Sequence, residues 1–348
     1  MSDAPMGLSM DALFEKMQAE TRPTHGYDTR RKGESLAAWQ NRLRRRFCEL
    51  LAFDARPRKA PSMRFMEEIQ CNGYVRRRGY MLAADGLAVP VYVLTPDPAP
   101  AKKLPVCLCV HGHGPGKSIS VGLAQTEAAR QQLEDIQEDY AVQAVRQGYI
   151  AIAHDSRSFG ELMLEEDYRK DGYSSCSSVS MRSIHMGRPL NGQRLSDIMQ
   201  LVDWAVAQKN VDPERIVITG NSHGGMLSLY AAALDKRIAA AAPCCYLCTF
   251  AGCLMDVFHC PCNFIPSLGT VCDMPDLAGL VAPRPMLVIA ATKDPMFAID
   301  ESRKAYQQTR RIYQDAGAAK ELEFFEGAGG HRYYNHRVWS FFEEKLKT

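Results

Sequence analysis

Neither sign of charge is in excess in this 348-residue sequence: 42 Lys and Arg stand against 40 Asp and Glu, a net charge of +2. A balance that close to zero argues against nucleic acid or an anionic membrane as the main partner, since both are held by concentrated positive charge. There is no run of about 18 apolar residues, so no membrane span is expected. The opening Met1-Ser2-Asp3-Ala4-Pro5 has no basic stretch leading into an apolar core, so no signal peptide is expected and the reading is a soluble, cytoplasmic protein. Without export, the twelve cysteines are expected as reduced thiols, not as a disulfide framework. Internal repeats and low-complexity tracts are missing as well. The composition, 46% hydrophobic and 24% charged, is ordinary for a globular enzyme, and the length gives a soft prior of about two domains.

Residues 1–100 read as an accessory region of helices and a β-hairpin, and 101–348 as the main domain. Leu36, Trp39, Leu43, Phe47, Leu50 and Leu51 recur at helical spacing, with Arg44-Arg45-Arg46 expected on the solvated face. Residues 73–83 and 87–94 read as strands around Asp85-Gly86, a hairpin turn signal. From Lys103 onward, apolar runs of strand length (105–110, 149–154, 215–219, 238–243, 284–291 and 321–325) alternate with helical patterns. Leu195, Ile198, Met199, Val202, Ala205 and Val206 share one helical face, and 225–234 is apolar nearly all round, as in a buried helix. This alternation predicts a mainly parallel sheet covered on both faces, whose ligands lie beyond the carboxyl ends of the strands. Chemistry is therefore expected in the residues that follow each strand.

After the run 215–219 comes Gly220-Asn221-Ser222-His223-Gly224-Gly225, a G-x-S-x-G turn between strand and helix. The glycines two residues before and after the serine relieve the crowding of so sharp a turn. A serine hydroxyl needs a base, and the base an orienting carboxylate, with the chain order serine, acid, histidine expected on such a sheet. His331, in Gly327-Ala328-Gly329-Gly330-His331, follows a strand and is the base. His336 belongs instead with Val338, Trp339, Phe341 and Phe342 in a packed terminal helix. The acid is Asp294, after the strand ending at 291, with Asp300 a weaker second because it falls on the next helix. An oxyanion hole is expected from the backbone N–H of His223 and from the loop His111-Gly112-His113-Gly114-Pro115-Gly116, through His113 or alternatively Gly114. Neither G-x-x-x-x-G-K-[ST] nor G-x-G-x-x-G is present, which argues against a phosphate-binding loop.

With these parts in order, residues from about 100 to 348 resemble the α/β-hydrolase superfamily, in its dienelactone-hydrolase and acetyl-xylan-esterase-like branch. The resemblance is carried by His111-Gly112-His113-Gly114, Asp155-Ser156-Arg157-Ser158-Phe159-Gly160-Glu161, Val211-Asp212-Pro213-Glu214-Arg215-Ile216, the Ser222 turn, Asp294 and His331. It implies an α/β fold, with a mostly parallel central sheet of about eight strands, one antiparallel pair among them, flanked by helices. It also implies ester hydrolysis with no metal and no organic cofactor. Dienelactone hydrolases in the strict sense carry a cysteine nucleophile, so the serine here moves the expectation toward carboxylesterases and deacetylases of acylated sugars or similar small esters. Two other readings stand beside it. A peptidase or amidase of prolyl-oligopeptidase type shares the triad order but brings a large propeller, for which residues 1–100 are too short. A binding protein on the same scaffold would lack a triad member, and none is lacking.

Two lid-like insertions are expected, near 156–191 and 244–275. The second holds Cys244, Cys245, Cys248, Cys253, Cys260, Cys262 and Cys272. Its segments Cys245-Tyr246-Leu247-Cys248 and His259-Cys260-Pro261-Cys262 raise the question of a metal, but structural zinc sites usually show two regular two-ligand hooks and the second spacing here is C-x-C. The expectation is a pocket wall without metal, with Tyr246, Phe250 and Phe258 lining the pocket. His185 and Arg188 are expected as substrate contacts, and Arg157 and Glu161 as structural ion-pair partners. The expected partner is a small-molecule ester, with a homo-oligomer left open.

Overall fold

The computed structural model describes residues 9–56, 59–124, 127–170 and 174–346. Nine strands make one sheet: β1 (Met63–Cys71), β2 (Tyr74–Leu82), β3 (Ala88–Pro96), β4 (Leu104–Val110), β5 (Ile150–His154), β6 (Val211–Asn221), β7 (Ile238–Cys244), β8 (Met286–Ala291) and β9 (Leu322–Gly327). Their order is β1-β2-β3-β5-β4-β6-β7-β8-β9. From β5 across to β9 every pairing is parallel, while β1, β2, β3 and β5 pair antiparallel.

Alternation along the parallel strands sends side chains to two cores. In β4, Val106, Leu108 and Val110 join the cluster on one face, and Cys107 and Cys109 the cluster on the other. The helix His223–Leu234 is buried along its whole length, as its all-round apolar pattern requires. The helix Leu36–Leu50, capped by the Ser35 hydroxyl accepting from the Ala38 N–H at 3.2 Å, buries Trp39, Leu43 and Phe47. Phe47 meets Tyr230 edge to face at 5.1 Å, joining the two helices.

Three expectations change. The sheet has nine strands where about eight were expected, and the extra one is β1, whose register slips between Phe65 and Glu67. That bulge breaks the two-residue alternation by which a strand is recognised. The hairpin is also no layer of its own, because β3 pairs with β5 from Val91↔His154 to Leu94↔Ala151 and so extends the main sheet. Nor is the arginine run simply a solvated face. Arg44 Nε donates to the Ala233 carbonyl at 2.8 Å and Nη2 to that of Leu280 at 2.9 Å, placing a cation at the carboxyl ends of two helices, where the dipole favours it.

The 156–191 segment is partly helical, with Glu165–Arg169 and Cys176–His185 before the long helix Leu190–Val206. Arg157 and Glu161 both make structural ion pairs, though not with each other. Arg157 binds Asp197 at 2.7 Å and Asp85 at 2.6 Å, while Glu161 meets the buried Lys117 at 2.5 Å, and Lys117 also holds Asp155 at 2.9 Å. Among the described residues no helix is long and apolar enough to cross a membrane.

Candidate active site

Strand β6 ends at Asn221 and the next helix begins at His223, so Ser222 alone makes the turn. It does so at φ 56° and ψ −118°, a conformation that costs a non-glycine residue about 1–3 kcal/mol. The turn is held from both sides: the Ser222 N–H donates to the Cys244 carbonyl and its own carbonyl accepts from the Met226 N–H, each at 2.9 Å. A Cβ at Gly220 or Gly224 would collide with the carbonyl oxygen of Val110, so both glycines are required by the close approach of β4.

The loops after β8 and β9 are tied to each other. Thr292 N–H donates to Gly327 O at 2.9 Å and Lys293 N–H to Gly329 O at 2.8 Å, which brings Asp294 beside His331. The His331 Nδ1 lies 2.7 Å from Asp294 Oδ2. The other carboxylate oxygen, Oδ1, accepts from the N–H groups of Met296 and Phe297 at 2.9 and 3.1 Å, so the acid is fixed before it fixes the imidazole. Phe297 stacks on the His331 ring, centroids 5.8 Å apart. Among the described residues the His331 Nε2 has no hydrogen-bond partner, and the ring borders a cavity of about 330 Å³ that Ser222 also lines. No hydrogen bond joins the two groups in this state. Such links are often long before substrate binds.

Gly112, His113 and His223 line the same cavity. The His223 N–H opens a helix, where the first N–H groups have no partner within it. Gly114, the alternative oxyanion donor, is not among the lining residues. Asp300 lies on the helix Ile299–Asp315, exposed and paired with Arg303 at 2.9 Å. His336 stacks on Phe325 at 6.2 Å, just ahead of the terminal helix Val338–Lys345.

The expected substrate contacts divide. Phe258 lines the cavity and is 89% exposed. Tyr246 does not, because it is buried with its hydroxyl 2.9 Å from that of Tyr230, and Phe250 packs against the core. His185 and Arg188 are exposed and outside the cavity. His185 ends the helix Cys176–His185 and Arg188 follows it, and position in a lid-like segment gave no way to see which way either side chain turns. Met296, Phe297, His259 and Asn263 take these places.

Glu138 is a lining residue that the sequence reading missed. Burial raises its pKa above the usual carboxylate value, against the lowering effect of the Asn221 amide, 3.0 Å away, and of His331. It follows no strand and stands in an acidic run resembling a solvated helix start, so nothing local marks it. Burial also drives the His223 imidazole well below its ordinary pKa, helped by Arg194, so its side chain stays neutral beside the serine.

One further gathering borders the cavity. His113, Cys176, Cys260 and Cys262 each present a ligand-capable atom, all within 4.8 Å of one another.

The sequence from residue 2 to 324 matches the model of the abhydrolase family, and the chain belongs to that family. YtaP of Bacillus subtilis (strain 168), named as a proposed hydrolase, is 24% identical over 190 residues, which span 53% of this chain and 60% of that protein. Among solved structures, a proposed acetyl xylan esterase of Bacteroides fragilis NCTC 9343 superposes with a TM-score of 0.77 at 22% identity, covering 92% of this chain and 83% of the other. A CE15 glucuronoyl esterase of Teredinibacter turnerae T7901 gives 0.63 at 16% identity, covering 100% and 94%. At these identities the likeness establishes a shared fold.

Proposed function

We propose that this protein is a serine carboxylester hydrolase acting on small or acetylated esters, those of carbohydrates among them. The observation that carries the reading is the His331 imidazole, which borders the cavity lined by Ser222, is held by buried Asp294 at 2.7 Å on Nδ1, and has no hydrogen-bond partner among the described residues on Nε2. Membership in the abhydrolase family supports it, as do the names of the structural relatives, which are esterases of carbohydrate substrates.

In this mechanism the Ser222 Oγ attacks the ester carbonyl as His331 Nε2 takes its proton. Asp294 holds the tautomer that carries a proton on Nδ1 and stabilises the imidazolium. The negative oxygen of the tetrahedral intermediate is bound by the backbone N–H of His223 and of His113. Collapse expels the alcohol on the proton from His331, leaving an acyl-serine. Water, deprotonated by the same nitrogen, then attacks that ester and frees the acid and the serine. Neither metal nor organic cofactor takes part in these steps.

The cavity volume suits a small acyl group better than a long chain, since pockets for drug-sized ligands run from about 300 to 1,000 Å³. A panel of nitrophenyl acyl esters and acetylated sugars, run beside aminoacyl anilides, tests the reading. Turnover of acetyl esters with none of the anilides is expected. Anilide turnover exceeding that of the esters would overturn it in favour of an amidase.

A further inference from the structure

We propose that His113, Cys176, Cys260 and Cys262 bind a zinc ion in a closed, structural site that pins three walls of the cavity together. This replaces the expectation of a thiol-rich loop without metal, and it does not depend on the esterase reading.

The four residues come from three distant stretches: the loop after β4, the first residue of the helix Cys176–His185, and the short turn Pro261–Asn263 with the residue before it. Their ligand atoms converge within 4.8 Å, and Cys262 Sγ stands 3.5 Å from His113 Nε2. In a tetrahedral zinc site, with Zn–S of about 2.3 Å and Zn–N of about 2.1 Å, neighbouring sulfur and nitrogen atoms lie about 3.6 Å apart. A three-thiolate, one-imidazole set is a standard structural zinc shell, and the softness of sulfur favours zinc over magnesium or calcium. With four protein ligands no position is left open for water, so the ion would hold structure and not activate a nucleophile.

Charge is the second, independent observation. Arg194 is fully buried, yet among the described residues it makes no ion pair with a carboxylate. Its guanidinium instead lies 3.1 Å from Cys176 Sγ, donates to the Arg157 carbonyl at 2.8 Å, and sits over the Phe159 ring at 5.3 Å. A buried cation with no anion in direct contact is disfavoured, and Asp197, the carboxylate that feels its charge, is already paired with Arg157. Three thiols that give up their protons to bind Zn²⁺ leave the centre with one net negative charge, which Arg194 cancels. Access is through Cys260, the one partly exposed thiol of the three.

His113 also gives the ion a link to the cavity, because the residue whose side chain it would bind lines that cavity. Fixing the ring fixes the loop that carries the proposed oxyanion donor.

The test is metal analysis of the full chain purified without chelator. One zinc per chain is expected, with an X-ray absorption spectrum of three sulfurs and one nitrogen, and cobalt(II) exchanged for it should show tetrahedral thiolate bands. Cys176→Ser and Cys262→Ser should each lose the metal, while Cys71→Ser, at the end of β1, should keep it. Stripping zinc from the wild type should lower the melting temperature. A wild-type protein that takes up no zinc on dialysis, a peptide map showing two of these thiols joined as a disulfide, or an absorption spectrum without sulfur ligands would each overturn the proposal. The wild-type spectrum decides the matter even if the cysteine variants fail to fold.

Discussion

His331 and His113 occupy matching positions at two places on the sheet. Each rides on a glycine-rich loop beyond the carboxyl end of a parallel strand, β9 for one and β4 for the other, and each borders the same cavity. His331 has a carboxylate on one ring nitrogen and no hydrogen-bond partner among the described residues on the other. Around His113 stand three thiols. An imidazole with one nitrogen held and one open can move a proton, whereas one enclosed by sulfur ligands can only be held. The residue type is the same, and the neighbours decide its use.

If the comparison is sound, changes at the open site should destroy turnover and spare the fold, and changes at the closed one should weaken the fold and cost turnover far less. The largest effect is expected for Ser222→Ala, a loss of about 10³–10⁶-fold in kcat with an unchanged melting temperature and circular dichroism. An organophosphonate should label the wild type at Ser222 alone, as read by peptide mass. Asp294→Asn should cost about 10⁴-fold at neutral pH by presenting the wrong tautomer, whereas Asp300→Asn should run near the wild-type rate. A crippled Asp300→Asn would move the acid to the next helix and undo the open half of the comparison. At the closed cluster, zinc removal should lower the melting temperature by several degrees and kcat by up to about 10²-fold, less than deleting an oxyanion donor outright. Kinetics and thermal melts on the same stripped sample separate the two effects.

A smaller contrast lies among the aromatic residues near the cavity. Phe258→Ala should raise KM several-fold with little loss of stability, because the free ring is exposed and only substrate covers it. Tyr246→Ala should instead destabilise by about 3–5 kcal/mol, as for a buried aromatic ring, measured by denaturant unfolding. Acid sensitivity sharpens the picture further. His154 is fully buried, and burial, with the positive groups Lys117, Arg194 and the neighbouring His111, brings its pKa down to about 3. A base whose folded pKa is lowered binds protons more readily when unfolded. Stability is therefore full above about pH 6.5 and should fall by up to about 1.4 kcal/mol per pH unit below it. Thermal melts between pH 7.5 and 5 should show this slope, and His154→Gln should make it shallower, with the buried His111 and His223, whose pKa values burial also lowers, supplying what is left.

The open site was legible because each part announces itself locally. A sharp turn demands glycines around Ser222, and a strand end places Asp294 and His331 within a few residues of their roles. Six of the nine strands follow apolar runs whose ends match within a few residues, and the hairpin follows its Asp-Gly turn. What could not be read depends on convergence. Cys176 lies more than sixty residues from the sequence positions it meets, and no spacing rule links it to Cys260-Pro261-Cys262. Glu138 is buried by the arrangement of loops and not by its own pattern. Tyr246 fell on the wrong side of its segment, since knowing that a loop leaves the catalytic end of a sheet does not reveal which of its rings turn inward. Strand β1 was hidden by the slip between Phe65 and Glu67, which erases the alternation.

That same slip bears on solubility. As one of the two edge strands, β1 offers a row of backbone donors and acceptors to any passing extended chain, and the exposed Met66 and Ile69 would reward such docking. The bulge distorts the ladder, and Glu67 and Glu68 would confront their own counterparts if two copies met edge to edge. Both are recognised guards against sheet-to-sheet aggregation. Replacing the two glutamates with valine should leave the interior untouched and raise light scattering on gentle heating, turning a quiet border into a growth point for fibrils.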